Sequence, residues 1–137
     1  MVHFIQWQPS LNTNIKEIDD QHKGLVEIIN LTAYAKNKNH PERLKEILVK
    51  LIDYTKTHFA YEEEHMLKNN YNKIIEHKAQ HQVLIRQVIN ILEKLKSGEN
   101  DVLENIFNIL ENWLLKHVKE QDREYAYFFS EEIKKGK

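Results

Sequence analysis

Cysteine is absent from the 137-residue chain. Disulfides, thiolate metal sites and iron–sulfur clusters are therefore excluded. Any metal must be held by imidazole and carboxylate, donors that suit iron, zinc, copper or manganese. Glycine and proline are scarce, at three and two residues. With so few breakers the chain favours long helices over a sandwich or barrel. No run is long and apolar enough to span a bilayer. Met1–Ser10 lacks the basic and apolar regions of a signal peptide, so the expectation is a cytoplasmic protein with no membrane partner. Net charge is only −1, and Lys and Glu are interleaved, so no basic surface points to nucleic acid.

What is present is a chain that is 41% hydrophobic and 30% charged, ordinary values for a soluble protein. Its length suits one domain with a real core. Residues 1–17 read as an irregular N-terminal arm whose Phe4 and Trp7 should pack on the rest. Residues 18–134 read as an all-α, up-down-up-down antiparallel four-helix bundle followed by a short C-terminal helix. The first helix runs from Ile18 to about Lys36, with Ile18, His22, Leu25, Val26 and Ile29 inward. The second starts at Pro41, well placed in a first turn, and ends near Leu67. The third spans about Lys73 to Lys96 and should be capped by Gly98. The fourth spans about Asp101 to Glu120, on a stripe of Leu103, Ile106, Leu110, Leu114 and His117. Breaks at 37–40, 69–72 and 97–100 are short, hence the antiparallel order.

The informative feature lies on these stripes. In the second helix, Leu44, Leu48, Leu51, Thr55, His58 and Glu62 follow one alternation of three and four. In the third, Ile74, His77, His81, Leu84, Val88, Ile91 and Leu95 do the same. Five histidines and two carboxylates thus stand where a bundle needs Leu: His22, His58, Glu62, His77, His81, His117 and Asp122. Buried polar groups are costly unless satisfied. A lone inward histidine is commonly bonded to a backbone carbonyl, but seven such groups in one interior call for a metal centre of more than one ion. Residues four apart stack about 6 Å along the axis, so His77 and His81 can share an ion, while Glu62 beside His58 can bridge two. Asp122 is one residue late for its stripe. For it to point inward, the helix must widen or break just after His117.

Other histidines read differently. His3 and His40 are expected to be solvated. With Glu62, His65 spells the ExxH of ferritin-type di-iron bundles, but the third helix carries HxxxH where a second copy is needed. His65 is therefore expected to be a neighbour of the site or a helix-end residue. Of the run Glu62–Glu63–Glu64, only Glu62 lies on the seam.

The sequence from Trp7 to about Phe129 resembles the hemerythrins, specifically the bacterial single-domain kind. The motifs are Ile18–Asp19–Asp20–Gln21–His22, His58–Phe59–Ala60–Tyr61–Glu62–Glu63, the HxxxH at His77 and His81, and Trp113–Leu114–Leu115–Lys116–His117 followed by Asp122 and Tyr125. The resemblance implies two non-haem irons (Fe2+/Fe3+). His77, His81 and His117 would hold one, and His22 and His58 the other. Glu62, Asp122 and an oxo or hydroxo group would bridge them. It implies reversible dioxygen binding at the open position of the two-histidine iron, for carriage, storage or delivery, with no catalytic residue. Nitric oxide and azide are further expected ligands. Sensing of oxygen, nitric oxide or redox state through a partner, di-iron peroxidase activity and iron buffering are the alternatives. Leu25, Phe59, Trp113 and Leu114, beside ligands in sequence, are expected to line a dry oxygen pocket. Asn14 and Asn72 stand where relatives commonly have Gly and Pro. A monomer is the default expectation.

Overall fold

The computed structural model describes residues 4–37, 41–98 and 106–135, and these are helical apart from the arm and turns. Helix α1 spans Lys16–Asn37, α2 Pro41–Lys68, α3 Ile74–Lys96, α4 Ile106–Lys116 and α5 Arg123–Lys135. A π-helical segment, His117–Asp122, joins α4 to α5. Helix α2 lies between α1 and α3, and α4 returns against α1, the four-helix bundle expected from the short breaks. His3, His40, Leu103 and the expected start of the fourth helix lie outside the described residues.

The predicted stripes are the buried faces. Ile18, His22, Leu25, Val26 and Ile29 on α1 are buried, as are Leu44 to Glu62 along the α2 seam. Thr55 fits this seam because its Oγ1 donates to the Ile52 carbonyl at 2.9 Å, which satisfies a hydroxyl that has no exposure. On α3 the stripe from His77 to Leu95 is buried, and only Ile74 at its start stays half-open.

Two apolar clusters flank the polar groups. The larger includes Leu25, Leu48, Phe59, Leu84, Leu110 and Leu114. The smaller joins Ile15, Ile18, Met66, Tyr71 and Tyr125. In α1 and α2 the histidines and Glu62 lie between residues of the two clusters, so the polar layer is sealed at both ends.

The arm is fixed rather than loose. Asn30 brackets Ile5, accepting its N–H at 2.8 Å and donating to its carbonyl at 3.0 Å. Ile5 and Leu11 are the buried anchors, and Trp7 packs partly against the core. Phe4 departs from expectation: it is 42% exposed, because the Asn30 bracket turns Ile5 inward and the neighbouring side chain outward.

Asp19 secures the start of α1. Its Oδ1 accepts the Thr13 N–H and hydroxyl at 2.8 and 2.7 Å, and its Oδ2 accepts the Asn14 N–H at 3.0 Å. Asn14 has φ 67°, the left-handed conformation that Asn tolerates. This knot lies one turn before His22. Asp19→Ala strands two backbone donors and should cost about 1–2 kcal/mol, read as a lower urea midpoint of the metal-free protein. An unchanged midpoint would contradict this role.

Two glycines hold positions that other residues would not fit. A Cβ on Gly24 would meet the Tyr54 hydroxyl at 2.2 Å, so only glycine lets Tyr54 donate to the Gln21 carbonyl at 2.6 Å. Gly98, at φ 89°, ends α3 with its N–H on the Leu95 carbonyl, the expected cap.

Candidate metal centre

Four elements bring the seven polar residues to one point: His22 from α1, His58 and Glu62 from α2, His77 and His81 from α3, His117 and Asp122 from the π-helical segment. All seven are buried. The ligating atoms of Glu62, His77, His81, His117 and Asp122 lie within 4.8 Å of one another, and those of His22, His58 and Glu62 do likewise.

Asp122 reaches this point through the expected distortion. Five α-helical residues turn about 500°, which leaves a side chain some 140° past its starting face. The wider π turn removes much of that excess. The segment begins at His117 and ends at Asp122, so the apparent flaw in the stripe is the device that turns the carboxylate inward.

Both carboxylates are shared. Oε2 of Glu62 faces His58 and His22, with Nε2 at 3.0 and 3.3 Å. Oε1 faces Nε2 of His77, His81 and His117, at 2.9, 3.1 and 3.9 Å. Asp122 divides the same way. Oδ2 is 3.0 Å from His22, and Oδ1 is 2.9 and 3.2 Å from His77 and His117. Glu62 thus turns one oxygen to three histidines and the other to the remaining two, and Asp122 divides along the same line, one oxygen to His77 and His117 and the other to His22.

The atoms are arranged for a cation rather than for one another. Nε2 of His81 and His117 are 3.2 Å apart, close to the ~3 Å between donors set at right angles about 2.1 Å from one ion. Both Asp122 oxygens are buried and lack a well-directed hydrogen bond. A carboxylate left in that state is expensive unless a positive charge satisfies it.

Residues 13–128 match the hemerythrin HHE cation binding domain. The chain belongs to the hemerythrin family. It is 38% identical over 126 residues to the bacteriohemerythrin of Pseudomonas paraeruginosa, covering 92% of this chain and 81% of that protein. With the bacteriohemerythrin of Methylococcus capsulatus the identity is 34% over 115 residues, covering 83% and 87%. A solved wild-type hemerythrin superposes with a TM-score of 0.84 at 28% identity, over 90% of this chain and 96% of that one.

Electrostatics at the site follow from two carboxylates among five imidazoles. Burial opposes charge on His22, but Asp122 and Glu62 outweigh it and push the imidazole up to about 9. On His117 the same contest, with Asp122 the main partner, ends at about 10. His77 is raised as well, burial again being overcome by Asp122 and Glu62. Burial would raise Glu62, yet His58, His117 and His22 hold it well below the usual carboxylate range. Burial and the Glu62 charge would raise Asp122, but His117 and His22 hold it low too.

Of the expected oxygen-pocket residues, Phe59 and Trp113 make ring contacts with the histidines. Leu25, Phe59 and Leu114 are buried in the larger apolar cluster, and Trp113 packs partly buried against it. Phe59 stacks on His81, ring centroids 3.7 Å apart and nearly parallel, and lies 5.7 Å from His58. Trp113 stacks on His117 at 4.8 Å. The two aromatics therefore lean mainly on the three-histidine side. A cavity of about 260 Å³, lined by Gln80, Val83, Trp113, Lys116, His117 and Gln121, adjoins that side.

Sequence reasoning missed two residues. Glu63, read as part of a surface run, places Oε2 2.7 Å from Nδ1 of His81. Gln21 places Oε1 2.5 Å from Nδ1 of His58. Each is the chain neighbour of a predicted ligand, the signal that could have found them. His65 stays outside the cluster, as expected. Its Nδ1 meets the Tyr125 hydroxyl, which also donates to the His65 carbonyl at 3.1 Å. Phe129 packs on its ring. His65 thus ties the end of α2 to α5.

Proposed function

We propose that this chain binds dioxygen reversibly at a non-haem di-iron centre, and so serves in oxygen carriage, storage or delivery. The observation that carries this reading is the division of both Glu62 and Asp122 between a three-histidine and a two-histidine group. One carboxylate touching two sets of imidazoles would be chance. Two carboxylates divided along the same line suit a pair of ions about one bridge apart.

The residues fit such a pair. His77, His81 and His117, with Oε1 of Glu62 and Oδ1 of Asp122, offer five donors. His22 and His58, with Oε2 and Oδ2, offer four. Two ions held here would be unequally satisfied, and the His22 and His58 position, with one protein donor fewer, would be the one with room for an outside ligand. Five neutral imidazoles and two carboxylates carry −2, which leaves two divalent ions partly uncompensated. Bound iron would supply the reversible exchange of two electrons that dioxygen uptake needs. The protein's share is to hold the donors, keep the interior dry and leave that place open. Leu25, Phe59 and Leu114, buried in the larger apolar cluster, would exclude the water that otherwise makes oxidation irreversible.

The test is spectroscopic. Anaerobic protein loaded with ferrous iron should carry two irons per chain and be nearly colourless. Visible charge-transfer absorption should appear with oxygen and vanish on deoxygenation over repeated cycles. A permanently ferric product after one cycle would overturn carriage and favour sensing or peroxide chemistry. One iron or none per chain would overturn the paired site.

A further inference from the structure

The two histidine groups differ in what stands behind them as well as in number. Nδ1 of His81 and of His58 points away from Glu62, each towards an oxygen that can only accept, so with Nε2 given to a metal Nδ1 would carry the proton and donate outward. Behind His81 the acceptor is the carboxylate of Glu63 at 2.7 Å. Behind His58 it is the amide oxygen of Gln21 at 2.5 Å. Both partners are themselves constrained. Gln21 is half-buried, and its own carbonyl accepts the Tyr54 hydroxyl at 2.6 Å. The Glu63 side chain is 22% exposed while His81 is fully buried.

A carboxylate behind an imidazole draws its Nδ1 proton and makes Nε2 a stronger donor to a metal, whereas a neutral amide orients the ring without adding charge. We propose that Glu63 and Gln21 are positioning residues that set the two metal positions apart in affinity. The three-histidine position, backed by Glu63, fills first and holds tightly. The two-histidine position, backed only by Gln21, fills second and exchanges readily. This rests on the two-ion reading above. It extends that reading, because the asymmetry lies in charge outside the ligand set and can be moved without touching a ligand.

Glu63→Gln keeps an acceptor of the same shape on His81 and removes only the charge. Gln21→Glu adds the charge behind His58. The double variant reverses the arrangement at constant total charge. Each is titrated with Zn2+ alone, starting from metal-free protein, in competition with a chromophoric chelator. Unfolding of the metal-free variants provides the check on structure.

Wild type should bind in two steps separated by at least about tenfold. Glu63→Gln should weaken the tighter step about tenfold, at the lower end of the 10–100-fold seen for such partners, and leave the weaker one. Gln21→Glu should tighten the weaker step by a similar factor. Metal-free stability should stay near wild type in both. The double variant should narrow or invert the gap, which a merely structural role would not do. Two equal steps in wild type, or single variants within twofold of wild type in both steps, would overturn the inference while leaving the two-ion reading intact. Binding of one Zn2+ or none would overturn both.

Discussion

Glu62→Ala should reduce the metal content to below one ion per chain and should also weaken the metal-free fold. All five histidines of the cluster face this one carboxylate, His22 and His58 at Oε2 and the others at Oε1. Removing one partner of a buried charge pair costs about 3–5 kcal/mol, because the other charge is left unsatisfied. That is a factor of about 10²–10⁴ in the folding equilibrium at 25 °C. Asp122 cannot replace it, since its oxygens reach His22, His77 and His117 only. Glu64→Ala is the control. Glu64 lies two residues on, exposed and paired with Lys68 at 3.2 Å, and its loss should change iron content and unfolding midpoint little. Metal analysis of both variants after identical anaerobic loading decides the matter. Equal iron in the two would remove Glu62 from its proposed bridging place.

That effect was foreseeable because Glu62 obeys the helix period. A buried stripe forces its residues onto one face whatever their chemistry. His22, His58, Glu62, His77, His81 and His117 were therefore as legible as Leu48 or Leu84. Asp122 was legible only as a conflict between the spacing and the 3.6-residue period, and the π-helical segment resolves it. A local rule broken without evident gain is a common mark of a functional site.

Glu63 and Gln21 were illegible for the opposite reason. Both follow the local rules of a solvated helix face, and neighbours in sequence point about 100° apart. Their roles come from the adjacent helix: Glu63 on α2 meets His81 on α3, and Gln21 on α1 meets His58 on α2. No periodicity within one helix encodes such a contact. His65 is similar. Its period allowed a place near the site, but Tyr125 on α5 decides where its ring goes. Phe4 fails for a smaller reason: its side-chain direction depends on how Asn30, 25 residues on from Ile5, brackets that neighbour.

The same electrostatics predict opposite responses to pH in the metal-free and metal-loaded protein. The imidazoles of His22 and His117 are raised to about 9 and 10 in the folded chain, against about 6.5 when unfolded. A raised folded value contributes stability that is complete below the unfolded value and disappears as pH climbs through the folded one. Glu62 and Asp122 are lowered; their contribution is complete above the unfolded carboxylate value and is lost as pH falls below it. The metal-free protein should therefore be most stable between roughly pH 4.5 and 6.5, and its unfolding temperature should fall steadily towards pH 10. Metal binding runs the other way, since the ion needs neutral imidazole and must displace those protons. At pH 7.5, loading should release about two protons per chain, from His22 and His117. The number should fall towards zero above pH 10, while apparent affinity rises with pH until those protons are gone. Calorimetric titration with Zn2+ in buffers of different ionisation enthalpy measures the count directly. No proton release at pH 7.5 would mean that the carboxylates do not hold these histidines in their charged form.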